Sequence, residues 1–239
     1  MVSPESIGQQ GLLSVWHATY LFTRTSRAKF YLRETEIEKV RQTKFPSKVS
    51  RLSGLYFFED RDTALHAGQR WEGNFREEYL TEIQFVGQPK ISKYDSEWIS
   101  NYRAFSEAYW IENYLKGQAM GPLPLWELLV EGRGFILGTH IRKLAYETVR
   151  QTWPKSLGLL ELSRIAVELD SDLGLISPIL TGNENRASLK LYLDFEDAQN
   201  PVFLDKLKKY QGPKNTTDLN INSDLVLPDL SNYFVEFEV

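Results

Sequence analysis

The stretch Leu52–Phe58, LSGLYFF in one-letter code, is a short run of mostly apolar and aromatic residues, as expected of a buried β-strand. Charged residues end the run at positions 59–62. An aspartate among them, Asp60 or Asp62, is suited to cap a helix that begins near Thr63. A strand followed at once by a helix is a first indication of a sheet covered by helices.

On either side of this strand, some segments have the apolar runs or the alternation of apolar and polar residues that is typical of strands. Other segments have the apolar spacing of amphipathic helices. Strands are predicted at 12–15, 78–86, 125–130 and 188–195. Helices are predicted at 30–42, 140–152 and 157–169. The first strand has His17 at or just past its end, and the strand at 125–130 ends in a turn at Glu131-Gly132. The sequence therefore predicts a protein of mixed helices and strands.

Aromatic residues at spacings of four, three and four indicate one face of a further helix. They are Trp98, Tyr102, Phe105 and Tyr109. Stacking on exposed bases is one use for such a stripe, but packing in the core is the better explanation for it.

The composition is that of a folded protein, with 239 residues of which 42% are hydrophobic, 25% charged and 13% aromatic. These values exclude disordered and fibrous classes. The length suits one domain, assigned to residues 1–210. An acidic tail at 211–239 is expected to pack on this domain or on a partner.

Several kinds of site are excluded by residue types. Cysteine is absent, which rules out disulfides, cysteine-based zinc sites, iron–sulfur ligation and thiol nucleophiles. His66 and His140 have no neighbours at metal-ligand spacing, so we expect no metal. No segment approaches the roughly 20 apolar residues of a membrane helix, and the first residues are not a secretion signal. We expect a cytoplasmic protein without a membrane partner.

Charge is distributed unevenly along the chain. The formal net charge is -4. Residues 24–51 contain nine Lys and Arg against three Glu, a net charge of +6, so the remainder carries −10. A local basic patch on an acidic protein indicates a polyanionic partner, with a solvated basic face as the alternative. Arginines of this patch, among them Arg24, Arg27, Arg33 and Arg51, are candidates for forked hydrogen bonds to phosphate.

Familiar catalytic signatures are missing from the sequence. The Walker loop, the dinucleotide-binding glycine motif, His-Glu-x-x-His and Gly-x-Ser-x-Gly do not occur. Their absence discounts P-loop NTPases, Rossmann dehydrogenases, zincins and α/β-hydrolases. What remains is a set of three polar residues, His17, Tyr56 and Glu127, each on or at the end of a predicted strand.

Three segments resemble the motifs of ADP-ribosyltransferases of the His-Tyr-Glu class. Val15–Thr19 resembles the first motif, in which an aromatic residue, His and a small residue precede Thr or Ser. Gly54–Phe58, with the helix after it, is similar to the second motif. Trp126–Val130 is similar to the third-motif strand of the branch that modifies nucleic acids. Longer phrases are similar to an uncharacterised bacterial family of the same superfamily, at 38–41, 45–46, 50–52 and 160–166.

This resemblance, which covers roughly residues 12–195, implies a fold and a set of roles. The fold would be α+β, with an ADP-ribosyltransferase-like split mixed sheet flanked by helices and an extra helical and β region after Gly138. Glu127 would be the catalytic carboxylate. NAD+ would be bound by four residues, His17, Thr19, Arg51 and Tyr56.

The chemistry explains these residue types. Cleavage between nicotinamide and ribose develops positive charge on the sugar, which a fixed carboxylate stabilises. The ring of Tyr56 offers an apolar face to nicotinamide, and His17 would orient a ribose hydroxyl. Glu131 is a second candidate for the carboxylate. Residues four apart on a strand lie about 13 Å apart, so at most one of the two can meet the same ribose.

The expected activity is transfer of ADP-ribose from NAD+ to a macromolecule, without a metal. A nucleobase in RNA or DNA is the preferred acceptor, and a protein side chain the next. The family analogy implies a toxin or anti-phage effector held by an antitoxin protein. Two alternatives stay open: an NAD+ glycohydrolase that uses water as acceptor, and a non-catalytic nucleic-acid-binding or inhibitor protein.

Overall fold

The structure, a computed structural model, describes residues 10–71, 77–104, 109–183, 185–212 and 226–239. Its helices are α1 Val15–Thr23, α2 Arg27–Lys44, α3 Arg61–Arg70, α4 Glu97–Ser100, α5 Tyr109–Leu115, α6 Thr139–Thr152, α7 Leu157–Glu168 and α8 Pro201–Lys209. Its strands are β1 Gln10–Leu12, β2 Leu55–Phe57, β3 Ile83–Asp95, β4 Trp126–Ile136, β5 Ile176–Gly182, β6 Arg186–Leu193 and β7 Phe234–Glu238. The predicted α+β class is confirmed.

The strands form two sheets. One has the order β2-β4-β3 and the other β1-β5-β6-β7. Each strand pairing within the described residues is antiparallel. Strand β7 pairs with β6, so the last described part of the acidic tail completes an edge of the second sheet. Residues 213–225 of the predicted tail lie outside the described residues.

Helix α2 connects the two main cores. Its N-terminal half places Phe30 and Tyr31 in a cluster with α1 and the second sheet. Its C-terminal half places Ile37 in a cluster with Tyr114 of α5 and Leu129 of β4. The middle of α2, between Tyr31 and Ile37, therefore lies at the junction of the two cores.

The strand predicted at 12–15, with His17 at or just past its end, is mostly wrong. Strand β1 covers only Gln10–Leu12, and helix α1 begins at Val15. The side chain of Ser14 caps this helix by accepting a hydrogen bond from the backbone N–H of His17. Burial of His17, Ala18 and Leu21 on one side follows a helical period, and this packing overrides the strand preference of the β-branched and aromatic residues around them.

Other boundaries also differ. The strand expected at 78–86 runs instead from Ile83 to Asp95, and β4 continues past Gly132 to Ile136, so Glu131 lies within a strand and not in a turn. The long pairing of β3 with β4 explains both extensions. Asp60 is the residue that caps α3, as its carboxylate accepts from the backbone N–H of Thr63 at 2.7 Å.

The aromatic stripe is not one helix. It is divided among α4, a short 3-10 turn at Tyr102–Ala104 and α5, and Phe105 lies outside the described residues. Core packing is confirmed for Trp98, which is 7% exposed, but Tyr109 is 50% exposed.

Candidate functional site

The first sheet brings two predicted site residues to one face. Tyr56 of β2 pairs with Leu129 of β4, and Glu127 lies two residues before Leu129. Side chains two apart on a strand point to the same face, and paired residues share a face. Tyr56 and Glu127 therefore project together, toward α2 and α5.

Helix α1 adds the third predicted residue. His17 is 0% exposed, and its ring centroid lies 5.5 Å from that of Tyr56. Its Nε2 atom lies 3.4 Å from the Tyr56 hydroxyl. The structure thus brings together His17, Tyr56 and Glu127, which are far apart in sequence. We refer to these three residues, with Arg51, Glu34 and Tyr114, as the buried cluster.

Arg51 is at the centre of the buried cluster. Its Nε atom donates to Glu34 Oε2 at 2.9 Å, and its Nη1 atom donates to Glu127 Oε1 at 2.8 Å. The same Nη1 donates to the Tyr114 hydroxyl at 2.6 Å. The guanidinium carbon lies 5.4 Å from the centre of the Tyr56 ring. Arg51 therefore contacts two of the three predicted residues directly, Tyr56 and Glu127. It is buried and does not lie on an exposed phosphate-binding surface.

The tight turn before β2 positions Arg51. Gly54 donates its N–H to the Ser50 carbonyl at 2.8 Å, and the Tyr56 hydroxyl donates to the Arg51 carbonyl at 3.2 Å. A Cβ atom at Gly54 would lie 2.6 Å from the Ser50 oxygen. The glycine of the second motif is therefore required by a close backbone approach.

A second ion pair supports the same turn. Arg41 donates to Glu38 through Nε and Nη2 and to the Lys48 carbonyl at 2.9 Å. Ser50 donates to Glu38 Oε2 at 2.8 Å. Helix α2 thereby anchors the residues immediately before Arg51.

Glu34 and Tyr114 were not found from the sequence. Glu34 is 1% exposed and accepts from Arg51 and from Arg33, whose Nη2 lies 2.6 Å from Glu34 Oε1. A signal for it exists, because Glu34 occupies a helical position between the buried Phe30 and Ile37. Tyr114 carries no such signal, since a buried aromatic residue in a helix is ordinary.

The hydrogen bonds define the tautomer of His17. The single hydrogen of the Tyr56 hydroxyl goes to the Arg51 carbonyl, so its oxygen accepts from His17 Nε2. The Nδ1 atom then accepts from the Ser14 hydroxyl at 2.8 Å. A proton on Nε2 also faces Glu34 Oε2 at 3.6 Å. His17 is consequently a neutral donor directed at the centre of the cluster.

Burial and charge shift the cluster's pKa values in different directions. Burial raises the pKa of Glu127, and Arg51 and the hydrogen bond from Tyr114 only partly oppose it. Burial acts to raise the pKa of Glu34 as well, but Arg51, His17 and Arg33 together hold it well below its ordinary value. Burial lowers the pKa of His17 despite the nearby Glu34. Glu34 and Glu127, which both accept from Arg51, thus have pKa values shifted in opposite directions. Such an arrangement is found at catalytic sites and in structural ion-pair networks.

Two further candidates lie elsewhere. Thr19 is exposed on α1, two residues beyond His17 and hence on another face of the helix. The side chain of Glu131 is 66% exposed, with its Oε2 3.7 Å from Lys90 Nζ. Of the two carboxylates considered for catalysis, only Glu127 belongs to the buried cluster.

The basic patch separates into internal and external charges. Arg33, Arg41 and Arg51 are ion-paired with glutamates, and Lys44 with Glu112. Arg24, Lys29 and Lys39 are exposed, and within the described residues none of them has a carboxylate partner. A smaller positive surface than the sequence predicts therefore remains on α2 and just before it.

Over the described part of the chain, no three or more His, Asp and Glu side chains are grouped as a metal site. Within the same residues no helix is long and apolar enough to span a membrane.

Comparison with known proteins identifies one family. A family model described as Protein of unknown function (DUF2441) matches residues 13–149, more than half of the chain. The chain belongs to the DUF2441 family. No curated protein and no solved structure matches it. The segment shared with DUF2441 contains every residue of the buried cluster, whereas α7, α8 and β5–β7 lie beyond it.

Proposed function

We propose that this DUF2441 protein is an NAD+-dependent ADP-ribosyltransferase that modifies a macromolecule, with a nucleobase in RNA or DNA as the preferred acceptor. The observation that carries the proposal is the meeting of His17, Tyr56 and Glu127 around Arg51. These residues come from three segments that resemble the motifs of one enzyme class. A catalytic role for this cluster explains why two carboxylates, one histidine and one arginine are buried together.

In the proposed reaction the bond between ribose C1′ and nicotinamide N1 breaks. Its electron pair stays on N1, so the charged pyridinium becomes neutral nicotinamide. A lone pair of an acceptor nitrogen forms the new bond to C1′, and the proton of that nitrogen passes to Glu127 or to water. Positive charge develops on the ribose in between, and a carboxylate held close to it lowers the barrier.

The three residues have separate roles in this proposal. Glu127 stabilises the ribose cation with Oε2, because Oε1 already accepts from Arg51 and Tyr114. Tyr56 is half-buried, so its ring is the part of the cluster that nicotinamide reaches first. His17 donates its Nε2 hydrogen to a ribose hydroxyl in place of the Tyr56 oxygen. Arg51 holds Glu127 and does not bind the pyrophosphate.

The exposed cations support a nucleic-acid acceptor. Arg24, Lys29 and Lys39 lie on or beside α2, the helix that carries Glu34. Phosphate backbones are attracted to such surfaces without regard to base sequence. Modification of nucleic acid inside a cell is harmful, and in the proposed biology the protein is a toxin or anti-phage effector restrained by an antitoxin.

The proposal is tested with isotopically labelled NAD+. The purified protein is incubated with labelled NAD+ and cell lysate, and nuclease and protease digestions then show which fraction carries the label. We expect nuclease to release the label. Protease-sensitive label would identify a protein acceptor, and nicotinamide release without any labelled macromolecule would identify a glycohydrolase.

A matched pair of variants tests the assigned carboxylate. Glu127→Gln is expected to reduce nicotinamide release by about 100-fold or more, since it removes the charge opposite the ribose cation. Glu131→Gln, an isosteric change on the same strand at an exposed position, should leave the rate unchanged. Equal rates for the wild type and Glu127→Gln, or no nicotinamide release at all, would contradict the enzymatic assignment.

A further inference from the structure

Tyr114 is a member of the buried cluster to which neither the motifs nor the reaction assigns a role. It lies on α5, is 0% exposed, and its ring stacks on Tyr94 with centroids 4.4 Å apart. Its hydroxyl lies between Arg51 Nη1, at 2.6 Å, and Glu127 Oε1, at 2.8 Å. A phenol that only filled space would not need its oxygen between two charged groups.

The direction of these hydrogen bonds follows from the chemistry of the groups. Arginine can only donate, so the Tyr114 oxygen accepts from Arg51. Burial raises the pKa of Tyr114 well above its ordinary value, so the phenol keeps its hydrogen. That hydrogen is donated to Glu127 Oε1.

Two donors therefore converge on one oxygen of Glu127. Arg51 Nη1 and the Tyr114 hydroxyl both donate to Oε1 at 2.8 Å. In the described residues Oε2 has no hydrogen-bond donor. The carboxylate is thus held through Oε1, while Oε2 is left without a donor from the described residues.

We infer that Tyr114 is a positioning residue, which together with Arg51 holds Glu127 by Oε1 and presents Oε2 to the ribose. The inference rests on the proposed function for the identity of the substrate. It names a residue on α5, outside all three motif segments, as part of the reaction geometry. Misplacement of a reacting group by about 1 Å costs on the order of 100-fold in rate, so such a residue has a measurable effect.

The chain offers a close control for this inference. Tyr94 is a second buried tyrosine, stacked on Tyr114, but its hydroxyl interacts with the Val49 carbonyl at 3.5 Å and with Ser92, not with Glu127. Tyr114→Phe and Tyr94→Phe each remove one oxygen atom from neighbouring rings of the same core. Only the first removes a hydrogen bond to Glu127.

The first readout is the pH dependence of nicotinamide release. We expect Tyr114→Phe to lower kcat roughly 10- to 100-fold with little change in KM for NAD+. The hydrogen bond from Tyr114 lowers the pKa of Glu127, so its loss moves the acid limb of the kcat profile to higher pH. Tyr94→Phe should retain the wild-type kcat and acid limb.

The second readout is the titration of the Glu127 carboxyl carbon by NMR, with Glu127→Gln to identify the signal. It should move to higher pH in Tyr114→Phe and stay in place in Tyr94→Phe. If Tyr114→Phe does not fold, 3-fluorotyrosine at position 114 retains both hydrogen bonds with a stronger donor. It should move the titration to lower pH.

The two readouts separate the possible failures. A wild type that releases no nicotinamide, with a titration that still depends on Tyr114, overturns the proposed function and keeps Tyr114 as the partner that holds Glu127. An active wild type in which Tyr114→Phe matches Tyr94→Phe in both kcat and titration overturns the positioning role. An inactive wild type with an unchanged titration overturns both.

Discussion

Arg51 Nη1 lies 2.8 Å from Glu127 Oε1, and both side chains are only 6% exposed. Both charges of such a pair lose their hydration on folding, which costs free energy. Only close contact and further hydrogen bonds offset this desolvation cost. Both conditions are met here, because Glu34 and Tyr114 complete the coordination of the arginine. One buried cation thereby connects α2, the turn before β2, α5 and β4.

Glu34→Gln tests the contribution of the buried cluster to stability. The substitution removes an anion that pairs with both Arg51 and Arg33, and leaves the buried Arg51 with less compensation. We expect a loss of about 3 kcal/mol in the free energy of unfolding, measured by urea denaturation. Glu36→Gln, at an exposed position on the same helix, should change it by less than about 0.5 kcal/mol. Equal effects of the two changes would show that the cluster does not support the fold.

His17 should make stability depend on pH. Burial lowers the pKa of His17 from the ordinary value of 6.5, so below about pH 6.5 the unfolded chain binds a proton that the folded chain excludes. The unfolded state binds more protons in this range, and the free energy of unfolding therefore falls as pH falls from 6.5 through the folded-state pKa.

The measurement is urea denaturation of the wild type and of His17→Gln at several pH values on both sides of pH 6.5. We expect the variant to be less stable at neutral pH and to lose less stability on acidification. His66→Gln, at an exposed position on α3, controls for replacement of a histidine in general. Parallel curves for the wild type and His17→Gln would rule out the contribution of His17.

Gly54→Ala tests the turn that places Arg51. The new methyl group would lie 2.6 Å from the Ser50 oxygen and 2.8 Å from Val49 Cγ1, so the turn must shift. We expect a loss of about 1–3 kcal/mol in the free energy of unfolding. Gly121→Ala, where no atom lies within 4 Å of the added carbon, is the control and should be nearly neutral. A neutral Gly54→Ala would mean that the turn adapts without cost.

Asp60→Ala tests the cap of α3. Its carboxylate accepts from the Thr63 N–H at 2.7 Å, and loss of a cap of this kind costs about 1 kcal/mol. Asp62→Ala removes an exposed first-turn carboxylate that interacts with the helix dipole and lies 4.0 Å from Arg61 Nη1, at a cost of about 0.5 kcal/mol or less. Thermal unfolding should rank the two in that order, and the reverse order would assign the cap to Asp62.

Prediction from the sequence succeeded where a local pattern was sufficient. The apolar run Leu52–Phe58 contains β2, although the strand covers only Leu55–Phe57, and the apolar segment with Glu127 pairs with it in one sheet. Helices α2, α6 and α7 lie where helices were predicted. The Asp60 cap is equally local, since it involves residues three apart. Prediction failed around His17, where propensity favoured a strand and burial of a helical face decided otherwise.

The amino-acid sequence by itself determined the α+β class, four of the eight described helices and three separated polar residues on short motifs. Only the tertiary structure decided that His17, Tyr56 and Glu127 come together, that Arg51 contacts Tyr56 and Glu127, and that Glu34 and Tyr114 complete the cluster. The physical reason is the range of the interactions. Helix and strand formation depends on residues close in sequence. The carboxylates that pair with a buried arginine are instead set by the packing of the cores, and the partners of Arg51, Glu34 and Glu127, lie 17 and 76 positions away.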